Sequence, residues 1–312
     1  MRIEYHRTLI ADRVRLDAFR DALARVIRKG HSTVADIGTG TGILAMLAAR
    51  LGAKKVYAYE KAEIGAVAER LVRLNKLRNV EIIPARSTEI IDPPRVDIVV
   101  TETLGNYALE EFLVETMNDA RARHLKSDGV LIPRAVEQFV CPVIAPRLWR
   151  ELMVWDEVER DLDFAPARTM SLNNVYVRSV PAGELLDAGR AAVRWDHLDF
   201  SGRNRMSRKG QGSWRMARPA SVYGLALWWH AELTPGVVLA TSPLTAATHW
   251  EQLFFPALEP LQLGVGDTLS ADLRSRSSEE GGTDLAWTLT ATDAKGRQRT
   301  RQALSLEKGF LP

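Results

Sequence analysis

The segment Asp36-Ile37-Gly38-Thr39-Gly40-Thr41-Gly42 places three alternating glycines between an apolar run, Thr33-Val34-Ala35-Asp36-Ile37, and a helix-compatible run through Ala49. Glycine admits backbone conformations closed to other residues, so a strand ending in this turn can pass directly into a helix and offer its amides to a ligand. A strand that leaves through a helix returns as a parallel neighbour. The rhythm then repeats: Lys55-Val56-Tyr57-Ala58-Tyr59 reads as a second strand, a helix runs through Asn75, a third strand covers Val80 to Pro84, and a fourth covers Val96 to Thr101. Short apolar runs alternating with amphipathic helices mark a parallel sheet covered by helices. Roughly the first 130 residues therefore predict a doubly wound α/β unit.

After Val130-Leu131-Ile132-Pro133 the texture changes. Leu285, Trp287 and Leu289 alternate with Ala286, Thr288 and Thr290, the period of a strand, and Asp293-Ala294-Lys295-Gly296 supplies a turn before another strand ending near Leu306. The second half is mostly β, and Pro133 is the hinge between units 1–133 and 134–312. Pro146 to Asp163 fits neither half; its Trp, Leu and acidic residues stand at helix-compatible spacing and predict a helical insertion over about 146–165. At 312 residues and 46% hydrophobic content the chain can bury two adjoining cores. With 42 basic residues against 39 acidic ones, no global field selects nucleic acid or an anionic membrane as partner. The single cysteine, Cys141, excludes an intrachain disulfide framework and a cysteine-rich zinc site. No secretory signal or membrane-length apolar run is present, so the expectation is a cytoplasmic protein without a metal, a nucleic-acid partner or a membrane.

Candidate chemistry follows the fourth strand. Thr101-Glu102-Thr103-Leu104-Gly105-Asn106-Tyr107-Ala108-Leu109-Glu110-Glu111 puts two carboxylates, Glu102 and Glu111, at either end of a short loop in which Gly105 permits a turn. Acids converging at the carboxyl edge of a parallel sheet make a cleft suited to a cation, above all a planar guanidinium. Taken singly, each reads as a surface acid near a helix N-terminus, and Glu110 is an alternative second acid. Asp36, Gly38, Gly40 and Gly42 read as the site of a nucleotide-like cofactor. A nicotinamide fingerprint asks for a third glycine three residues after the second, where this chain has Ile43. Glu60, at the end of the second strand, can accept hydrogen bonds from both ribose hydroxyls of an adenosine. In the β half, Thr248-His249-Trp250 follows Ala240-Thr241-Ser242-Pro243; a lone histidine is more often structural and a tryptophan more often core.

These motifs, in this order, resemble the protein arginine methyltransferase family, with its double-glutamate loop and Thr-His-Trp loop, and the glycine spacing is similar to the first motif of S-adenosylmethionine-dependent methyltransferases. The resemblance runs from His6 to the last strand. It implies a Rossmann-like class I methyltransferase domain, a cis Ile132-Pro133 bond, and a β-barrel-like domain with an inserted helical dimerisation arm, hence a homodimer. It implies S-adenosyl-L-methionine as cofactor, S-adenosyl-L-homocysteine as product, and methyl transfer to a guanidinium nitrogen of arginine in a peptide or protein. Guanidinium is always protonated and a poor nucleophile, so Glu102 and Glu111 would orient it and draw its charge away from the attacking nitrogen. His6-Arg7-Thr8-Leu9-Ile10-Ala11-Asp12-Arg13-Val14-Arg15 resembles the helix that folds over the cofactor, with Arg15 on the methionyl carboxylate and His6 nearby. Asp12 would pair with His249, either joining the halves or passing on the released proton. Trp250, Leu9 and Leu113 would line the substrate. Ser87 and Thr88, within Pro84-Ala85-Arg86-Ser87-Thr88-Glu89, would face the adenine, with Thr88 or Glu89 where the family has its adenine-reading glutamate.

The family's aromatic lid segment is expected to be missing, because the chain begins almost at the motif, which leaves arginine access open or completed by another element. Thr103-Leu104 stand where the family has an aromatic-methionine pair, and Leu113 where it has a methionine, implying retained chemistry on a different guanidine-bearing substrate. Free arginine or another small guanidine is therefore the alternative substrate, and a non-catalytic cofactor-binding or interaction module the third reading. Arg203-Asn204-Arg205-Met206-Ser207-Arg208-Lys209-Gly210 reads as a flexible basic loop that can supply a partner for a free amino acid's α-carboxylate.

Overall fold

A computed structural model describes residues 3–158 and 161–307. The chain opens with helices α1 (Ile3–Ala11) and α2 (Arg13–Val26), then alternates β1 (Thr33–Ile37), α3 (Ile43–Arg50), β2 (Lys55–Tyr59), α4 (Ile64–Leu74), β3 (Val80–Ile83), β4 (Val96–Thr101), α5 (Leu113–Asp119) and β5 (Leu125–Ile132). The strands form one parallel sheet in the order β3-β2-β1-β4-β5. Its central strands are apolar almost throughout, with Val34, Ala35, Val99 and Val100 fully buried, as a strand covered on both faces requires. In α4, Gly65, Ala68 and Val72 are buried while Glu69, Arg70 and Arg73 face water, the stripe of a helix lying on a sheet. Because β1 and β4 are adjacent, their carboxyl ends bring the glycine loop and the two-acid loop side by side.

The Ile132-Pro133 peptide is cis, as expected. Beyond it come β6 (Ala135–Val143), α6 (Arg147–Glu151), α7 (Ala165–Leu172), β7 (Tyr176–Arg178), β8 (Val193–Asp199), β9 (Ser207–Arg215), β10 (Ala220–Thr234), β11 (Val237–Ala240), β12 (Gln252–Leu263), β13 (Thr268–Ser278), β14 (Gly282–Thr292) and β15 (Gln298–Ser305). They make two antiparallel sheets, β7-β12-β10-β6-β8 with β11 on β10, and β15-β14-β13-β9. Alternation does the packing: Leu285, Trp287, Leu289 and Ala291 of β14 turn inward, and Trp287 meets Phe255 of β12 edge-on at 5.0 Å.

Two expectations change here. The helical insertion does not stop near residue 165: α6 and the turn Val154–Asp156 are followed by α7, which continues to Leu172 behind the turn at Asp163-Phe164. Residues 159 and 160 of that insertion lie outside the described residues. The basic run is not a loop throughout, because from Ser207 it is strand β9, with Arg208 paired opposite Ser275 in the ladder. Composition suggested a loop; the buried carboxylate of Asp196, 5% exposed, recruits Arg208 as its ion-pair partner at 2.5 Å and fixes the segment.

Candidate active site

The glycine loop is organised by its immediate neighbours. Tyr59 O accepts from Gly38 N and Thr39 N, both at 3.0 Å, and the Glu60 carboxylate accepts from Gly40 N and Ala62 N, both at 2.9 Å. Asp36 is buried and turned into its own loop, where one oxygen accepts from Thr39 Oγ1 at 2.5 Å and Ala45 N at 2.9 Å. Burial pushes its pKa up to about 6 against those two bonds. Gly40 has φ +57°, and a Cβ there would sit 3.1 Å from His6 Cε1, so the loop and α1 meet at a distance only glycine allows. Gly42, φ +83°, serves helix packing, since its Cβ would press on Ala68 at 3.2 Å.

A cleft of about 400 Å³ opens above this loop. His6, Leu9 and Arg15 from the first helices, Glu60, the segment Ala85 to Thr88, and Glu102, Thr103, Leu104, Glu110 and Glu111 all line it. Glu102 and Arg15 are both about 5% exposed in their side chains and joined by two hydrogen bonds, one from Arg15 Nε at 2.7 Å and one from Nη2. Burial raises the pKa of Glu102, and the Arg15 charge is the largest influence against that rise. Glu110 folds back over its own loop: Oε1 accepts from Asn106 N at 2.8 Å, and a Cβ on Gly105 would overlap it. Among the described residues Glu111 has no such bond. Burial, then the charges of Glu102, Glu110 and Glu60, push its pKa up to about 7, and among the described residues no cation offsets them.

The Thr-His-Trp segment meets the N-terminal helices at Asp12. Asp12 caps the N-terminus of α2, with Oδ1 accepting from Arg15 N at 2.9 Å; Oδ2 accepts from His249 N at 2.8 Å and from Nδ1 at 2.7 Å. A carboxylate can only accept here, so Nδ1 carries the proton. Burial holds the His249 pKa below the usual imidazole range, and Nε2 is buried without a partner among the described residues. Trp250 is 3% exposed and packs on His249 and, at 5.1 Å and 70°, on Trp229. Neither His249 nor Trp250 lines the cleft. Leu113, expected on its wall, is fully buried in the core, because Phe112 adopts φ +60° and turns the start of α5 inward. The chain from 203 to 210 also contributes nothing to the cleft.

Sequence reading missed the residues that hold the acid loop. Trp229 Nε1 donates to Gly105 O at 3.0 Å, Glu251 N to Asn106 Oδ1 at 2.9 Å, Tyr107 Oη to Ser275 Oγ at 2.6 Å, and Ser277 Oγ to Leu109 O. All four partners sit in the β half, more than a hundred positions away in sequence, and only the period-2 face shared by Ser275 and Ser277 hinted at them. Tyr5 was missed as well; it lines the cleft near Glu111, its ring 6.3 Å from that of His249.

Two methyltransferase family models match the chain. One is the ribosomal protein L11 methyltransferase, over residues 20–134, and the other the arginine methyltransferase oligomerization subdomain, over residues 137–291. Protein arginine N-methyltransferase 6 of Xenopus laevis is 28% identical over 96% of this chain and 91% of its own. Protein arginine N-methyltransferase 1 of Schizosaccharomyces pombe is 29% identical over 88% and 82%. In fold, the chain is similar to PRMT1 in the Trypanosoma brucei enzyme-prozyme heterotetrameric complex with AdoHcy, with a TM-score of 0.86 and 24% identity over 96% of this chain and 97% of that one. From the parallel sheet with its glycine loop, through the two-acid loop, to an oligomerization subdomain in the β half, the chain belongs to the protein arginine N-methyltransferase family.

Proposed function

We propose that this protein transfers the methyl group of S-adenosyl-L-methionine to a guanidinium nitrogen of arginine in a peptide or protein. The observation that carries the reading is the shared cleft: Glu102 and Glu111 line the same cavity as the glycine loop and Glu60. The residues fit the cofactor. Gly40 leaves space beneath His6 that a Cβ would fill, His6 Nε2 is buried without a partner among the described residues, and Glu60 stands at the cleft edge of β2. When bound, S-adenosylmethionine supplies an electrophilic methyl group. His6, Gly38, Gly40 and Glu60 would hold it, with Ser87 and Thr88 toward the adenine and Arg15 toward the methionyl carboxylate; Asp36 and Gly42 act by shaping the loop.

The acids divide the work. Glu102, already fixed by Arg15, gives the guanidinium a rigid acceptor. Glu111, unpaired and with a pKa near neutrality, gives the second acceptor and polarises the nitrogen facing the methyl group. Alignment of that nitrogen for in-line displacement then supplies much of the rate. The cleft also carries Glu110 and Glu115, so it favours a cation over an amino acid's carboxylate. Of the arginines that line it, Arg15 is shared between Glu102 and the cofactor's own carboxylate and Arg86 is paired with Glu279, while 203–210 lies elsewhere. A peptide-borne arginine is the better fit than free arginine. Because His249 is tied to Asp12 and neither lines the cleft, we read that pair as joining the units 1–133 and 134–312.

A homodimer is supported by the exposed apolar residues Val154, Val158, Leu162 and Met170 of the helical insertion, each more than half exposed. The unpaired, buried Cys141 is compatible with the cytoplasm. The test is incubation with methyl-labelled S-adenosylmethionine and either arginine-containing peptides or free arginine. Label on peptide that disappears in Glu111→Gln supports the reading. Label on free arginine alone, or none that depends on Glu111, overturns it.

A further inference from the structure

We propose that Glu279, in the turn between β13 and β14, is a positioning residue for the cofactor, acting from the β half through Arg86 at the adenine end of the cleft. The proposal rests on the cofactor named above. Glu279 continues an alternation along β13. Ser275 meets Tyr107, Ser277 meets Leu109 O, and Glu279 N donates to Glu115 Oε2 at 3.1 Å, so every second residue faces the cofactor half. The Glu279 carboxylate then closes an ion pair with Arg86.

Arg86 stands on a stiff floor. It immediately precedes the turn Ser87–Glu89, whose carbonyls at Ser87 and Thr88 each accept from Arg123 Nη2 at 3.0 Å, while His124 Nε2 lies 3.1 Å from Ser87 O. Arg86, Glu115 and Glu279 all line the cleft beside Ser87 and Thr88. The pair therefore crosses the rim where the adenine is expected, with its two charges belonging to opposite halves of the chain. Cofactor that leaves past this rim has to part the pair, whereas methyl transfer at Glu102 and Glu111 does not involve it. With side chains 28% and 48% exposed, the pair is partly screened, and such pairs shift an equilibrium by at most about fivefold. The expected effect is thus on cofactor residence and not on folding.

The experiment measures S-adenosyl-L-homocysteine binding to the full chain by calorimetry and its release by stopped flow, for wild type, Glu279→Gln, Glu279→Arg and the charge-reversed double variant Arg86→Glu with Glu279→Arg. Glu279→Gln should raise Kd and release rate about three- to fivefold, and Glu279→Arg more. The double variant should recover most of the loss, and single-turnover methyl transfer at saturating cofactor should stay within about twofold of wild type. In about 1 M salt, where the Debye length is about 3 Å, the gap between wild type and Glu279→Gln should close. Unchanged binding in Glu279→Gln, or no recovery in the double variant, overturns the proposal while leaving the cofactor assignment intact. A wild type that does not bind S-adenosyl-L-homocysteine sinks the cofactor assignment and this proposal together.

Discussion

The glycine loop and the two-acid loop lie side by side at the ends of β1 and β4, yet they are held in opposite ways. The first is held by its own neighbourhood: Asp36 reaches Thr39 and Ala45, Tyr59 O takes two of its amides, and Glu60 takes a third. The second is held from a distance, by Arg15 at its start and by Trp229, Glu251, Ser275 and Ser277 of the β half along its length. A cofactor loop built locally can form with the parallel sheet alone. An acid loop built by long-range bonds takes its shape only once both halves are docked, so cofactor binding and methyl transfer should respond to different mutations.

The strongest separation is expected from the acids. Glu111→Gln should lower kcat/KM for an arginine peptide about a thousandfold while leaving S-adenosyl-L-homocysteine affinity within about twofold, as measured by steady-state kinetics and calorimetry. A parallel loss of cofactor binding would erase the distinction between the loops. Gly40→Ala should do the reverse. The strain of φ +57° and the contact with His6 cost about 1–3 kcal/mol, so cofactor affinity should fall about tenfold or more.

Trp229→Phe keeps an aromatic ring and removes the donor to Gly105 O. It should lower kcat about tenfold with cofactor affinity unchanged, as expected for a buried carbonyl left unpaired at about 1–3 kcal/mol. An unaltered kcat would mean that the acid loop keeps its shape without the β half. Asp12→Asn, which keeps an N-cap acceptor but puts an amide donor in place of the oxygen that accepts from His249 N and Nδ1 and removes the charge there, should cost about 1–2 kcal/mol of stability and a smaller share of activity. The Asp12 pKa is lowered in the folded chain even though burial works the other way, because the bonds from Arg15 N and His249 prevail. That stabilisation is present at neutral pH and lost as pH falls below the usual aspartate range.

The pH dependence sharpens the comparison further. Glu111, raised to about 7, is protonated below that value and then a poor guanidinium acceptor, so kcat/KM should fall about tenfold per pH unit on the acid side of 7, whereas cofactor binding should not follow that limb. Stability runs the other way. The folded chain holds this proton more tightly than the unfolded one, so its contribution is complete below pH 4.5 and is lost as pH rises to about 7. Glu111→Gln should therefore melt higher than wild type at pH 8, by roughly 3–8 °C, and equally at pH 4.

Much of the fold was legible because it is written in short-range patterns. The run Thr33 to Ile37, the glycines behind it and the alternation around Trp287 each report a local conformation, and each element formed where its period placed it. The helical insertion was found but cut short of α7, and the run from Arg203 to Gly210 was taken as a loop because basic composition carries no information about the buried Asp196 that pairs with Arg208. Leu113 and Trp250 were expected at the substrate and lie in the core. The turn at Phe112 and the stack on Trp229 that bury them depend on neighbours the sequence does not name.

The sequence alone determined the sheet, the glycine loop and the presence of two glutamates after β4, since backbone conformation and apolar periodicity act over a few residues. Only the tertiary structure decided which carboxylate is engaged and which is free. That choice turns on Arg15 reaching Glu102, on Glu110 folding over Gly105, and on burial of Glu111 among like charges. Desolvation and Coulomb interaction depend on distance through space, and sequence separation carries no record of it.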